Sequence, residues 1–240
     1  VDVDAYLSRI GATLGDPLAT LHTAHVRSVP FEDYDIHRDV PISLDVDDLF
    51  DKIVRRRRGG FCYELNGLFG ELLRALGHDV TLVSAFSVED DVSGPEFEHL
   101  RLIVDGAWIA DVGNGSRWHR PTPLQVGEHG DVRVERDGEL WWTSARDRDG
   151  NWERDWAWTM TPRALPDFLD RCRYQEHDPA SHFVQRRLAT LAVDGGRIAL
   201  VNGVFAETGR PERALSVDEE RALLAERFGI AVDGWVTRVG

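Results

Sequence analysis

The 240-residue chain is short of several things, and each shortage narrows what it can be. It holds two cysteines, Cys62 and Cys172, far apart in sequence. Two such residues build neither a structural zinc site nor a disulfide framework. Cations are outnumbered, 28 Lys+Arg against 42 Asp+Glu, and the formal net charge is −14. A chain this acidic is a poor general nucleic-acid binder, because the phosphate backbone is repelled. Lys52 is the single lysine; every other cation is arginine. No apolar run approaches the roughly 18–20 residues that a membrane span needs. The acidic start, Val1 to Asp4, leads into no signal-type apolar block, which argues against export and for a cytoplasmic protein. What remains is ordinary: 42% hydrophobic and 29% charged residues, which excludes disorder as the main state.

The N-terminal third reads as helical. Asp2 to Ile10, Pro17 to Val29 and Asp45 to Val54 space apolar residues at three and four. In the clearest helix Leu65, Leu68, Phe69, Leu72, Leu73 and Leu76 form one stripe, and Gly77 is placed to stop it. After Gly77 the period changes. Val80 to Val88, His99 to Asp105 and Ala107 to Val112 read as strands, the last two joined by an Asp105-Gly106 hairpin turn. Val132 to Val134, Leu140 to Ser144 and Trp152 to Trp158 continue the pattern, with Trp152, Trp156 and Trp158 alternating as on a half-buried strand. The tail mixes a helix over Leu165 to Tyr174, strands over Phe183 to Val193, Arg197 to Val201 and Val204 to Glu207, and a last helix over Val217 to Phe228. Helices, then strands, then a mixed tail predict an α+β fold around an antiparallel sheet or small barrel.

Cys62 opens the strongest helix, directly after Gly59-Gly60 and four arginines, Arg55 to Arg58. A helix N-terminus presents unpaired N–H groups and a positive dipole end, which favour a thiolate. The glycines leave room beside the sulfur. Free cysteine is commonly a small buried hydrophobe. That reading suits Cys172, within Leu169-Asp170-Arg171-Cys172, better than Cys62, which stands outside the apolar stripe.

A thiol nucleophile needs a base and an orienting group. Nine histidines are available. His22 and His25 form an H-x-x-H pair on a helix, but with no carboxylate pattern beside them no metal site is expected. His37, His119 and His129 read as surface residues, and His78 follows a helix stop. His99 differs, because it opens a strand whose hairpin partner ends at Asp111. A two-residue turn at Asp105-Gly106 sets His99 and Asp111 nearly opposite, within about 5 Å.

The segment Arg57-Arg58-Gly59-Gly60-Phe61-Cys62-Tyr63-Glu64-Leu65-Asn66-Gly67-Leu68 resembles the cysteine motif of arylamine N-acetyltransferases. Asp4 to Ile10, Val29-Pro30-Phe31-Glu32, His99, Asp111-Val112-Gly113, Ser181-His182-Phe183 and Arg227-Phe228-Gly229-Ile230 are similar to further family signatures, so the resemblance spans essentially the whole chain. It implies an N-terminal helical bundle carrying the catalytic cysteine over 1–78, a β-barrel carrying histidine and aspartate over 79–162, and an α/β lid over 163–240. It also implies ping-pong transfer of an acetyl group from acetyl-CoA, through a thioester on Cys62, to an arylamine, hydrazine or arylhydroxylamine. His99 then deprotonates the thiol and Asp111 fixes the imidazole. No permanently bound cofactor is expected.

Phe31, Phe97, Asn114 and Phe205 are the residues expected against the acceptor, with Asn114 standing where the family commonly has an aromatic. Gly115, Arg117 and Arg120 are expected at the CoA; Arg117, His119 and Arg120 read equally as a solvated loop. The resemblance extends to amide synthases that use the same triad to release a chain from an acyl carrier protein as a macrolactam. From another class, Cys, His and Asp in this order also suit a thiol hydrolase or transglutaminase-like enzyme.

Overall fold

The computed structural model describes residues 1–89, 92–115, 118–146, 150–232 and 234. Helices α1 (Val3–Ile10) and α2 (Leu18–Ser28) pack together. The Asp2 side chain caps α1 by accepting the Ala5 N–H, and Gly11 ends it in the left-handed conformation. Strand β1 (Phe31–Glu32) follows, then α3 (Val46–Phe50), which widens into a π-type turn over Asp51–Arg55. Helix α4 (Cys62–Ala75) buries its stripe of Leu65, Leu68, Phe69, Leu72 and Leu73 completely.

Strands β2 (Val80–Phe86), β3 (Val88–Glu89), β4 (Val92–Ser93), β5 (His99–Val104), β6 (Trp108–Ala110), β7 (Thr122–Pro123), β8 (Gly127–His129), β9 (Val132–Asp137), β10 (Leu140–Arg146) and β11 (Trp152–Thr159) come next. All but the β3–β4 hairpin join one antiparallel sheet in the order β7-β6-β5-β2-β11-β10-β9-β8. The sheet curls into a nearly closed barrel. Its inner face packs Val83, Ile103, Ile109, Val134, Trp141 and Trp158 into one cluster. The other face of β5, through Leu100, Leu102 and Val104, packs on the α4 stripe. Period-2 alternation therefore sends His99 and Arg101 into the barrel.

Helices α5 (Leu169–His177) and α6 (His182–Gln185) lead to β12 (Leu188–Val193), β13 (Gly196–Val201), β14 (Val204–Glu207), β15 (Arg213–Ala214) and α7 (Val217–Leu223). The second sheet, β1-β12-β13-β14-β15, takes its edge strand from residues 31–32 and so ties the tail to the N-terminal helices. Tyr34 donates to Glu220 at 2.7 Å and Arg187 grips the same carboxylate at 2.8 and 2.9 Å, a buried clasp between the two.

Three expectations need correction. Phe183 to Gln185 is helical, not extended, because the Ser181 side chain accepts the Phe183 N–H and starts a helical turn. The alternation of Trp152, Trp156 and Trp158 is broken by a β-bulge: Trp142 pairs with Ala157 but Ser144 with Arg154, so Asp155 and Trp156 together face Thr143. Trp152 thereby turns to the outer face, under the guanidinium groups of Arg133 and Arg146. His37, read as a surface residue, is buried.

Candidate active site

Cys62 is the first residue of α4 and only 3% exposed. The chain reaches it through a close approach at Gly59, where a Cβ would collide with the Pro30 carbonyl oxygen. Beneath it runs a buried ionic network that uses the only lysine. Lys52 Nζ lies 2.7 Å from Glu64 Oε1 and 2.8 Å from Asp35 Oδ2, and Arg58 bridges Asp35 to Glu32 at 3.0 and 2.7 Å. The Phe61 N–H donates to Glu64 Oε2 at 3.1 Å, so the network ends on the backbone next to the thiol. Burial pushes the Asp35 carboxyl up, but Lys52 and Arg58 outweigh this and hold it down at about 2. Burial likewise pushes the Cys62 thiol well up, with backbone N–H groups of Leu100 and Tyr63 pulling the other way. Left to itself the sulfur keeps its proton at neutral pH.

His99 and Asp111 face each other inside the barrel mouth, with Nε2 and Oδ2 2.8 Å apart. The hairpin does not have the expected two-residue turn. Asp105 and Gly106 take left-handed conformations, φ 54° and 60°, and Ala107 adds a third residue, so Val104 pairs with Trp108 and Leu102 with Ala110. One step further brings Asp111 level with Arg101, and it meets His99 on the diagonal. Arg101 Nε is 3.1 Å from the same Oδ2. Asn66, one turn along α4 from Cys62, donates to Asp111 Oδ1 at 2.9 Å and to the Leu100 carbonyl at 2.7 Å, and accepts the Val112 N–H at 2.9 Å. One amide therefore ties the cysteine helix to β5 and to the segment that follows β6. Burial alone would raise the Asp111 carboxyl, yet His99, Arg101 and Asn66 hold it far below the usual range, so it is an anion at any working pH. Gly113 closes the arrangement: a Cβ there would sit 2.7 Å from the Cys62 Cα.

His99 is also fixed from its flat side. The Trp156 ring stacks on it at 4.6 Å and 14°. Phe97, two residues before it, is held at φ 63° by its N–H to Ser84 Oγ at 2.6 Å and by Tyr63, whose hydroxyl donates to its carbonyl at 2.6 Å. Since Nε2 engages Asp111, Nδ1 is the nitrogen left for other chemistry.

Phe31 and Phe97 belong to the same packed cluster as Cys62, whereas Phe205 lies in the separate C-terminal cluster. Asn114 donates to Asp155 Oδ2 at 3.1 Å and accepts from Trp156 Nε1 at 3.4 Å. The Gly115 carbonyl accepts from Arg197 at 3.3 Å. Arg117 lies outside the described residues. Arg120 borders a cavity of about 1140 Å³ at the barrel seam between β7 and β8, which also reaches Trp118, Arg154, Asp155 and Arg197. Of the H-x-x-H pair, His22 Nε2 accepts the Asp111 N–H at 3.2 Å, and His25 packs on Phe69. Among the described residues no group of three or more His, Cys, Asp or Glu is placed to hold a metal ion, and no helix is long and apolar enough to cross a membrane. Asn66, Arg101, His22 and Trp156 are the residues that sequence reasoning did not single out for the site. Two carried a signal: Asn66 lies within the cysteine motif, and His22 within the H-x-x-H pair.

The helical bundle, the curled antiparallel sheet and the α/β tail are together the fold of an acyltransferase. The model of the N-acetyltransferase family matches residues 16–236. Arylamine N-acetyltransferase of Mycolicibacterium smegmatis is 36% identical over 255 residues, covering 96% of this chain and 92% of the relative. The arylamine N-acetyltransferase / N-hydroxyarylamine O-acetyltransferase of Salmonella typhimurium is 31% identical, covering 95% and 89%. The solved Salmonella typhimurium arylamine N-acetyltransferase superposes with a TM-score of 0.89 at 30% identity, over 99% of this chain and 94% of that one. That of Mycobacterium marinum in complex with CoA gives 0.87 at 29%, over 95% and 93%. The chain belongs to the arylamine N-acetyltransferase family. These relatives favour neither a chain-releasing amide synthase nor a thiol hydrolase.

Proposed function

We propose that the chain moves an acetyl group from acetyl-CoA to the nitrogen of an arylamine, hydrazine or arylhydroxylamine by way of a thioester on Cys62. The observation that carries this is the His99–Asp111 pair at 2.8 Å, bound through Asn66 to the helix that Cys62 opens. A buried thiol does not ionise alone, but passing its proton to His99 Nδ1 creates a cation beside the new anion and leaves the site's net charge unchanged. Asp111, anionic and acting through Nε2, stabilises that imidazolium. The thiolate attacks the acyl carbon, and the CoA thiolate leaves with the proton held by His99. The amine then attacks the Cys62 thioester, gives its proton to His99 and departs acetylated. The backbone N–H of Cys62 and a neighbouring strand N–H are the donors we assign to the oxyanion.

Acceptor contacts are assigned to Phe31, Phe97, Asn114 and Phe205, and donor contacts to Gly115, Arg117 and Arg120. A protein of net charge −14 needs local cations to receive an anionic thioester, and Arg120 stands at the edge of the large seam cavity. Division of labour follows the chain, with the nucleophile on residues 1–78, the base and its carboxylate on 79–162 and a covering unit on 163–240. An acetyl-CoA pool and two free thiols fit a bacterial cytoplasm.

Intact mass after incubation with acetyl-CoA tests the reading. One acetyl increment is expected on the parent, none on Cys62→Ala, and its discharge on adding an aromatic amine or hydrazide. Absence of any adduct with acetyl-CoA or other short acyl-CoA thioesters overturns the donor assignment, and transfer of the acyl group from a carrier protein instead then identifies that donor. Steady release of acetate without amine overturns the transfer in favour of hydrolysis.

A further inference from the structure

The H-x-x-H pair on α2 is left over from the chemistry above, and one of its members reaches the site. His22 is fully buried and stands edge-on to the Phe69 ring of α4 at 6.2 Å. Its Nε2 accepts the backbone N–H of Asp111 at 3.2 Å, across 89 residues of sequence. Ala110 is the last paired residue of β6, so the Asp111 N–H has left the sheet ladder and needs a partner inside the protein. The next N–H, that of Val112, goes to Asn66.

We propose that His22 is a positioning residue for acyl transfer: its neutral imidazole fixes the main chain at Asp111, so that the carboxylate reaches His99 while it also holds Arg101 and Asn66. This rests on the Cys62-His99-Asp111 reading above. An imidazole accepts at Nε2 only as the neutral Nδ1–H tautomer; protonated, it turns an N–H toward another N–H. His22 must therefore stay neutral where His99 must take a proton. The surroundings of His22 keep it neutral. Burial is the largest influence on His22; the Asp111 carboxylate and the main chain at His119 and Asp111 raise its proton affinity. The His119 ring opposes them, while His25 one turn on is itself driven neutral by burial, by His22 and by Arg9 of α1. Burial outweighs the rest and pushes the His22 pKa down to about 4.

The test uses the full chain and iodoacetamide, which reports Cys62 ionisation without acyl donor or amine. In His22→Leu the apparent pKa of Cys62 alkylation is expected to rise by about one unit, and the single-turnover acetylation rate to fall about 10- to 100-fold, the factor set by one buried hydrogen bond. His22→Gln, whose amide oxygen can take the same N–H, should recover most of both. His25→Leu, which alters the same packing without touching Asp111, should lower the melting temperature and leave the alkylation profile in place. The proposal is overturned if His22→Leu keeps the parental profile, if Gln fails as badly as Leu, or if His25→Leu shifts the profile equally. Should the Leu variant not fold, histidine 15N shifts of the parent decide: Nε2 of His22 must be unprotonated at neutral pH, and a proton there ends the idea. A parent whose Cys62 reacts like a free thiol sinks the functional reading and this one with it. An activated thiol that His22→Leu leaves untouched sinks this one alone.

Discussion

The two halves of the site are held by different physics. Cys62 rests on charge: Lys52, Arg58, Glu32, Asp35 and Glu64 form a buried network under the start of α4. His99 and Asp111 rest chiefly on register and hydrogen bonds: a hairpin sets their spacing, Asn66 and His22 trim it, and a buried cation, Arg101, is shared between Asp111 and Asp155. A buried ion pair is costly to break, because the surviving charge is stranded. A hydrogen-bonded carboxylate can be neutralised with its shape kept. The comparison therefore predicts that lesions on the Cys62 side appear first as lost stability, and lesions on the His99 side first as lost rate.

Asp111→Asn is the strongest test of the second half. The amide keeps the volume but favours the wrong imidazole tautomer, and kcat should fall by about 10⁴-fold, as for other carboxylate–imidazole pairs. Arg101 keeps Asp155 at 3.5 Å when Asp111 is neutralised, so the melting temperature should move less than the rate. A variant that loses activity only by unfolding would collapse the distinction between the halves.

Lys52→Met tests the first half. It strands Glu64 and leaves Asp35 to its arginines, and denaturant melts should show a loss of about 3–5 kcal/mol, the range for breaking a buried pair. The protein that remains folded should still acetylate. Gly113→Ala falls between the two, because its Cβ would press on the Cys62 Cα at 2.7 Å and wedge the halves apart. Overpacking of this kind costs about 1–3 kcal/mol, and both the melt and single-turnover acetylation should register it.

How much of this could be read from the chain follows the same line. The Cys62 side is local: the glycines, the arginines and the helix stripe adjoin in sequence, and α4 begins at the cysteine. The His99–Asp111 pairing was legible from the hairpin, although the extra residue Ala107 moved Asp111 one step and put Arg101 beside it. The supporting contacts were not legible. His22 reaches Asp111 across 89 residues and Asn66 reaches Val112 across 46, and no periodicity encodes which buried polar group finds which. Nor does alternation announce the bulge that carries Trp156 onto His99, since the pattern of Trp152, Trp156 and Trp158 looks unbroken in sequence.

Acid separates the halves again. His22 is neutral in the fold, with a pKa near about 4 against 6.5 for the free side chain. Between those values the unfolded chain binds the extra proton, so folding stability is full above pH 6.5 and falls as the pH drops toward 4. The linked loss is roughly 3 kcal/mol for His22 alone. Asp35, with its pKa held at about 2 against 3.8, contributes stability that is intact above 3.8 and disappears only as the pH falls through 2. The His99 half should therefore loosen first. Melts across pH 7 to 3 should slope in the upper part of that range, and His22→Gln should flatten part of the slope. An unchanged slope in that variant assigns the loss elsewhere.

The smallest expected effect is the most discriminating. Trp156 touches neither Cys62 nor Asp111 among the described contacts; it holds the His99 ring flat at 4.6 Å. An aromatic stack of this kind is worth about 0.5–1.5 kcal/mol, so Trp156→Leu should cost roughly 2- to 15-fold in acetylation rate. Trp156→Phe keeps a ring and should recover part of that loss, but it gives up the indole N–H to Asn114. If the Phe variant acetylates Cys62 normally and changes only the ranking of amines, Trp156 acts on the acceptor through Asn114. If both variants slow the first half-reaction alike and amine ranking stays fixed, its work is on the imidazole. Register on the His99 side then extends to the bulge in β11, and the contrast with the charge-held cysteine becomes sharper.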